Sequence, residues 1–282
     1  MYLGACTKGA NSSSVRTQPF NEIKAKQRAF CFKTSYMTQL VRKYIGNYDD
    51  VEKIINDDNK NFIDYVNDVI FKYKNKSQKE LISLFNIDST SKNINSILVS
   101  RMFGIKGKLS DTDEFAKANI VPRTIRIEEN GRIKESMPFP AFKYSEIIKQ
   151  DWENSDLKND LETTKYMFFI FKKENNEYIF KGIKLWNMPE LIIENEVKNV
   201  WNKTVSIIKT GKIVKSINNA IRLTNFPGIT ENTVCHVRPH AVNANDTYEL
   251  PIADKLTGTT SYTKHCFWIN NKYLEDILKE FR

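Results

Sequence analysis

Two short segments near the end of the chain concentrate the side chains able to do chemistry. Cys235-His236-Val237-Arg238-Pro239-His240-Ala241-Val242-Asn243-Ala244 and Thr263-Lys264-His265-Cys266-Phe267-Trp268-Ile269-Asn270-Asn271-Lys272-Tyr273 together hold all three histidines and two of the four cysteines. They also carry an indole flanked by amide and basic side chains. Alternation over 234–240 sets Val234, His236, Arg238 and His240 on one face of a strand. Pro239 has no N–H for a ladder, so the strand ends or turns there, at an edge or a loop. Arg238 then presents a rigid fork of donors, suited to the O6/N7 edge of guanine or to a phosphate. The rival reading packs the Arg238 stem on the sheet and pairs its head with a carboxylate. Trp268 has its own rival reading, as an ordinary core aromatic. A zinc site built from Cys235, His236, His240, His265 and Cys266 is disfavoured. Adjacent strand residues face opposite ways, and the spacing matches no zinc knuckle or ribbon.

The elements that must position these groups fit in 282 residues, enough for one large domain or two smaller ones with a real core. The net charge of +9, from 43 basic and 34 acidic residues, favours a polyanionic partner over an acidic one. Cys6, Cys31, Cys235 and Cys266 are scattered with no CxxC pair, which fits a reducing cytoplasm better than a disulfide scaffold. No apolar run is long enough to span a membrane, and the polar, basic start is unlike a signal peptide. A cytoplasmic protein with no membrane partner is therefore expected. The opening Met1-Tyr2-Leu3-Gly4-Ala5-Cys6 reads as a stretch taken from something longer.

Residues 1–20, rich in Ser, Asn, Gly and Thr, read as an irregular lead-in. A helical N-terminal subdomain is expected over 21–89. Its first helix would be capped by Asn21 and run towards Gly46, with Met37, Leu40, Val41 and Tyr44 at helical spacing. Its second carries Phe62, Tyr65, Val66, Val69, Ile70 and Tyr73. Its third starts with the capping box Ser77-Gln78-Lys79-Glu80. From residue 90 to 282 the pattern is α/β. A helix is expected over 93–103, with strands over 124–127, 139–144, 165–172 and 178–185. The 164–172 run is so continuously apolar that it suits a central strand covered on both faces. A helix follows from Pro189 to Gly211, and a last one over 273–281. No internal repeat is visible.

From about Lys92 onward the chain resembles the MutH family of GATC-directed endonucleases. It is similar in particular to the Sau-type type II restriction endonucleases, which carry two MutH-like halves in one polypeptide. The resemblance rests on Arg238-Pro239-His240-Ala241 and Cys266-Phe267-Trp268-Ile269-Asn270-Asn271. It is extended by Leu98-Val99-Ser100-Arg101-Met102-Phe103-Gly104, residues 131–139 and Lys165-Tyr166-Met167-Phe168-Phe169-Ile170. Cys6-Thr7-Lys8-Gly9-Ala10-Asn11 and Ile23-Lys24-Ala25-Lys26-Gln27-Arg28-Ala29-Phe30 look like the segment that follows the first half. The fold implied is a restriction-endonuclease-like, MutH-like mixed β-sheet flanked by helices, with a helical N-terminal extension.

The family cuts DNA with carboxylates that hold Mg²⁺, which polarises the phosphate and activates water. By the resemblance those positions fall on Ser100, Glu114, Val121 and Arg123, with a downstream lysine replaced near Leu161 or Glu162. Valine offers no oxygen, and arginine stays protonated. The resemblance therefore implies no catalytic and no metal-binding residues here. Mg²⁺ would serve only the parent enzyme, and this chain would have no cofactor of its own. The acids Asp111, Asp113 and Glu114 read as a solvated loop or as a residual metal site. The positions that contact DNA match better. Arg238, Pro239, His240 and Trp268 fall on the family's major-groove elements, and Lys92 on a basic residue at a helix start. Lys264, Asn270, Asn271 and Lys272 are candidate phosphate contacts. His240 stands where the family has lysine and removes a full charge. The expected function is sequence-specific binding of double-stranded GATC DNA by a non-cleaving, allosteric C-terminal domain. The helical N-terminal third would steady the DNA backbone, and the partner would be the catalytic N-terminal half of the same parent. Two alternatives stay open. One is an active Mg²⁺-dependent GATC endonuclease using Glu114 with Glu128, Glu129 or Glu135. The other is a protein-interaction domain that dimerises with the catalytic half.

Overall fold

A computed structural model describes residues 3–9, 13–45, 51–55, 60–88, 90–91, 93–218 and 221–282. The chain forms two compact units, one of 1–134, 163–187 and 278–282 and the other of 135–162 and 188–277. The boundary expected at residue 90 is not followed, because part of the 90–282 stretch builds a sheet with the N-terminal helices.

The first unit opens with strands where the sequence suggested an irregular lead-in and a long helix. β1 (Leu3–Thr7) pairs antiparallel with β4 (Arg28–Phe32), and β2 (Val15–Gln18) pairs with β3 (Asn21–Lys26). Asn21 is a turn residue and not a helix cap. It faces Gln18 across the Pro19-Phe20 turn, and its side chain accepts from the Ile23 N–H at 2.9 Å. The first helix, α1 (Thr34–Ile45), begins only after β4. Next come α2 (Phe62–Tyr73), capped by Asn61, and α3 (Gln78–Phe85), which carries the expected Ser77–Glu80 capping box. α4 (Ile94–Met102) and α5 (Asp113–Ala118) complete the helices of this unit.

Of these helices, α2 to α5 contribute to the core around a mixed sheet of order β5-β7-β8. β7 (Lys165–Glu174) runs parallel to β5 (Ile120–Ile127) and antiparallel to β8 (Glu177–Trp186). Every residue of β7 from Tyr166 to Phe171 is buried, as its continuous apolar run requires of a central strand. Leu81, Leu98, Phe103, Phe115, Phe169 and Phe180 form the centre of the core. Phe103 meets Phe115 and Phe169 edge-on, with centroids 5.8 and 5.9 Å away.

The second unit holds β6 (Met137–Pro138), α6 (Tyr144–Ile147) and α7 (Asp156–Thr163). It continues with α8 (Glu190–Ile192), a π-helical turn (Ile193–Val197) and α9 (Lys198–Lys209). Pro189 starts this helix and Gly211 follows its end, as expected. Gly211 has φ +62°, and a Cβ there would lie 2.9 Å from the Ala253 carbonyl oxygen. The hairpin of β9 (Val214–Asn218) and β10 (Ile221–Thr224) leads to a three-stranded sheet of order β11-β14-β6. Its members are β11 (Cys235–Pro239), β14 (His265–Ile269) and β6, with β12 (Thr247–Glu249) and β13 (Ser261–Thr263) paired separately. α10 (Asn271–Ile277), followed by a 3₁₀ turn (Lys279–Phe281) that belongs to the first unit, replaces the single last helix expected. The strand expected at 139–144 is not formed: β6 stops just before it at Pro138, Pro140 lacks a ladder donor, and Tyr144 begins α6. Phe139 and Phe142 still donate to the Phe267 and His265 carbonyls at 2.9 and 3.2 Å. Lys158, 1 % exposed, anchors this unit's interior through Glu153 at 2.8 Å and through Glu194 on the π-helical turn. Burial raises the Glu194 pKa, but hydrogen bonds from Lys158 and Lys198 outweigh it and hold the carboxyl at about 2.

The expectation of no repeat is also corrected. β1 and β4 pair through five residues, Leu3↔Phe32 to Thr7↔Arg28. β11 and β14 pair through five, Cys235↔Ile269 to Pro239↔His265. Each ladder encloses a separate two-stranded pair in the intervening chain, and each leads into a helix after one further residue. The two copies share little sequence, which hides the repeat from composition.

Candidate nucleic-acid interface

In the second unit, Pro239 ends an edge strand, so the residues before and after it rise to the surface. Along 234–237 the side chains are buried, and from Arg238 to His240 they are exposed. His236 pairs with Trp268 and Arg238 with Cys266, which puts His236, Arg238 and Trp268 on one face. The Arg238 guanidinium carbon lies 3.8 Å from the Trp268 ring centre, a close cation–π contact. Below it, the His236 ring is nearly parallel to the indole, 17° between planes at 6.4 Å. His240 meets the indole edge-on at 5.3 Å. The indole is 8 % exposed, and its N–H points to the Arg238 carbonyl at 3.4 Å. Trp268 is thus a platform under Arg238 and not itself a surface contact, a correction to its expected position in a groove.

The platform is held from beneath. His236 Nδ1 lies 2.5 Å from the Asn270 side-chain oxygen, and the Asn270 amide donates to the Asn232 carbonyl at 2.6 Å. Asn232 in turn accepts from the Val234 and Cys235 N–H groups and donates to Glu196 on the π-helical turn at 2.8 Å. Asn270 is 3 % exposed, so it is an internal brace and not the expected phosphate contact. Burial, with help from the Arg238 charge, pushes the His236 pKa down against the Asn270 hydrogen bond. That shift favours the uncharged imidazole beside the indole. His265 is buried beside Tyr144, and burial lowers its pKa to about 4. Burial likewise pushes the Cys235 and Cys266 thiols up to about 12. Neither is poised as a nucleophile or metal ligand.

Lys264 is engaged rather than poised for a ligand. Its ammonium contacts Asp246 at 2.5 Å and lies over the Tyr248 ring at 4.6 Å. Asp246 also accepts from the Val242 N–H at 3.1 Å, closing the loop after His240. That loop leaves Val242 91 % exposed, with Asn243, Ala244 and Asn245 exposed beside it. Lys272 is exposed, whereas Asn271 is half-buried with its N–H on Ser136 at 3.2 Å. Lys92 lies outside the described residues. Sequence reasoning missed Asn232, Asp246 and the bracing role of His236. The Asn-to-Pro distribution gives no periodic signal for contacts 34 and 38 residues apart.

Of the positions that the resemblance matches to catalytic residues, Ser100, Glu114, Val121 and Arg123 lie in the first unit, and Leu161 and Glu162 in the second. Ser100 is buried on α4. Val121 and Arg123 lie on β5, and the buried Arg123 Nε has no hydrogen-bond partner among the described residues. Both Glu114 oxygens accept backbone N–H groups, from Ile54 at 3.1 Å and Ile55 at 3.0 Å. Asp111 pairs with Arg42 at 3.2 Å, and Asp113 pairs with Lys117. Glu128 takes the Tyr178 hydroxyl at 2.8 Å and Lys134 at 3.3 Å, and Glu129 takes the Asn176 N–H at 2.9 Å. Mg²⁺ needs several oxygens converging in near-octahedral geometry. This donor set does not fit it, because the carboxylates are turned to separate protein partners. Among the described residues no group of three or more His, Cys, Asp or Glu converges as a metal site. No described helix is long and apolar enough to cross a membrane.

The fold and site together define a mixed α/β protein that offers a braced, exposed guanidinium at a sheet edge. No family model matches the chain. Its sequence is related to that of a type II restriction enzyme: it is 36 % identical over 318 aligned positions to the type II restriction enzyme Sau3AI of Staphylococcus aureus. The match takes in 98 % of this chain, and the chain spans 65 % of that relative's length. The α/β architecture agrees with a nuclease-like fold.

Proposed function

We propose that this chain binds double-stranded DNA containing GATC without cutting it, as the MutH-like C-terminal, effector half of a type II restriction endonuclease. The Mg²⁺-dependent cut would belong to a separate catalytic half. The observation that carries the reading is the exposed Arg238 guanidinium, which rests on the buried Trp268 indole beside the Asn232–Asn270–His236 brace. A guanidinium already resting on an aromatic ring has less rotamer freedom left to lose when it grips the O6/N7 edge of a guanine. The relationship to a restriction enzyme supports DNA as the partner. The dispersal of Glu114, Asp111 and Asp113 onto protein partners supports the absence of cleavage.

Fluorescence anisotropy with GATC and scrambled duplexes across a salt series tests it. A specific binder should favour GATC by on the order of a thousandfold, and Arg238→Ala should remove much of that ratio. Equal affinity for the two duplexes, or no binding near about 50 mM salt, would sink the reading and favour a protein-interaction domain.

A further inference from the structure

The first unit repeats the DNA-facing module of the second in a different chemical dress. The ladders Leu3–Thr7 with Arg28–Phe32 and Cys235–Pro239 with His265–Ile269 have the same register. One residue past each first strand, the match continues in the backbone. Lys8 N–H donates to the Gln27 carbonyl at 2.8 Å, and His240 N–H donates to the Lys264 carbonyl at 2.9 Å. Lys8 therefore holds the place of His240. Cys6 holds the place of Arg238, and Cys31 that of Trp268. The helices correspond too, with Tyr36 in the place of Tyr273.

Charge separates the two copies. Residues 3–33 carry six basic side chains (Lys8, Arg16, Lys24, Lys26, Arg28 and Lys33) against the single acid Glu22. Lys8, Arg16, Lys24 and Arg28 are exposed, and Phe20 at the β2–β3 turn is 98 % exposed. A slender two-stranded ribbon of this charge complements a duplex, whose grooves admit such a ribbon and whose backbone is a line of anions. The apolar face of β1 and β4, with Leu3, Phe30 and Phe32, is exposed as well. Its borders are cationic, so two copies of this chain would repel there.

We propose that this ribbon is a second duplex-binding surface, contacting phosphates through Lys8, Arg16 and Lys24 and reading no bases. This rests on the reading of the chain as a DNA binder and adds a surface to it. Base reading is absent from the ribbon because the guanidinium and its indole are replaced by Cys6 and Cys31. The ribbon supplies affinity and Arg238 supplies discrimination.

The test compares the triple variant Lys8→Ala/Arg16→Ala/Lys24→Ala with Arg238→Ala, using GATC and scrambled duplexes from low to moderate salt. A control triple, Lys106→Ala/Lys108→Ala/Lys209→Ala, removes the same charge from exposed sites elsewhere. The ribbon triple should flatten the slope of log affinity against log salt by about 2.5 for both duplexes, leaving their ratio intact. Arg238→Ala should do the reverse, collapsing the ratio with little change in slope. All six substituted lysines and arginines are exposed, and unfolding temperatures should stay at the wild-type value. A wild-type slope in the ribbon triple overturns the proposal and assigns the ribbon to a protein partner. So does an equal loss of slope in the control triple. If GATC preference is absent but the ribbon triple still loses slope, the GATC reading fails and the ribbon stands.

Discussion

If Trp268 acts only by holding Arg238, then removing the indole and removing the guanidinium should not add. The contact at 3.8 Å is short for a cation–π pair, and the guanidinium is exposed above while the indole is enclosed below. Such a pair is worth about 0.5–2 kcal/mol. The bidentate Arg–guanine contact it would prepare is worth about 1–3 kcal/mol. Trp268→Leu should therefore cut the GATC-to-scrambled ratio roughly fivefold, about 1 kcal/mol, through loss of the Arg238 pose. Arg238→Ala should cut it by roughly 5- to 150-fold. The double variant should be no worse than Arg238→Ala, giving a coupling of about 1 kcal/mol in a double-mutant cycle. Trp268→Leu also opens space in a packed site at a cost of about 3 kcal/mol of stability, so binding is measured well below each variant's unfolding transition. Additive losses in the cycle would refute the platform, as would an unchanged ratio in Trp268→Leu.

His265 is neutral in the fold, with its pKa lowered from 6.5 to about 4 by burial. Between those values the unfolded chain binds more protons, so stability should be complete above pH 6.5 and fall by about 3 kcal/mol as pH drops to about 4. His236 is shifted the same way and adds to the loss. Unfolding temperatures across that window should flatten in His265→Phe, and a curve as steep as the wild type would refute the assignment. Glu114→Ala should cost about 1–3 kcal/mol by orphaning the Ile54 and Ile55 N–H groups. That cost should be the same in Mg²⁺ and in EDTA. A Mg²⁺-dependent rise in the wild-type unfolding temperature that vanishes in Glu114→Ala would instead make Glu114 a metal ligand. Cleavage of GATC plasmid by the purified chain, lost in the same variant, would restore the nuclease reading.

Much of the regular structure could be read from local pattern. The Ser77–Glu80 cap, the buried run through Phe168 and Phe169, and the Pro189-to-Gly211 helix each follow from short-range chemistry, and each is present. The π-helical turn inside that helix has no such signature. The N-terminal ribbon escapes the helical pattern because Met37, Val41 and Tyr44 are genuinely helical, and their period carried backwards reaches Asn21 without a break. Alternation in 21–32 is the competing signal, and the Pro19-Phe20 turn decides it. The division into units escapes a local reading for another reason. β5 and β7 are joined by their parallel pairing, Ile120↔Lys165 to Ile127↔Lys172, and a pairing between distant residues is invisible to a local window.

The site was legible as far as one strand reaches. Alternation placed His236 and Arg238 on one face, and Pro239 marked the edge. The partners of those residues lie on other segments, and there the sequence misled. Asn270 and Lys264 look like phosphate donors because amides and lysines beside an aromatic often are. In the fold their capacity is already used, by Asn232 and His236 in one case and Asp246 in the other.

The same economy of hydrogen bonds links the two units' sites in physical logic. A carboxylate can hold a cation or terminate a run of orphaned N–H groups, and Glu114 does the second with both oxygens. An amide can meet a phosphate or brace a neighbour, and Asn270 braces. Each such commitment removes a group from chemistry and adds rigidity, since a buried donor or acceptor left unpaired is costly. The group at the exposed end of the brace, Arg238, inherits that rigidity through the indole beneath it. A recognition element made this way gains selectivity from groups that never touch the ligand. Substitutions at Asn232 or Asn270 should therefore be judged by the sequence preference they alter rather than by any contact they lose.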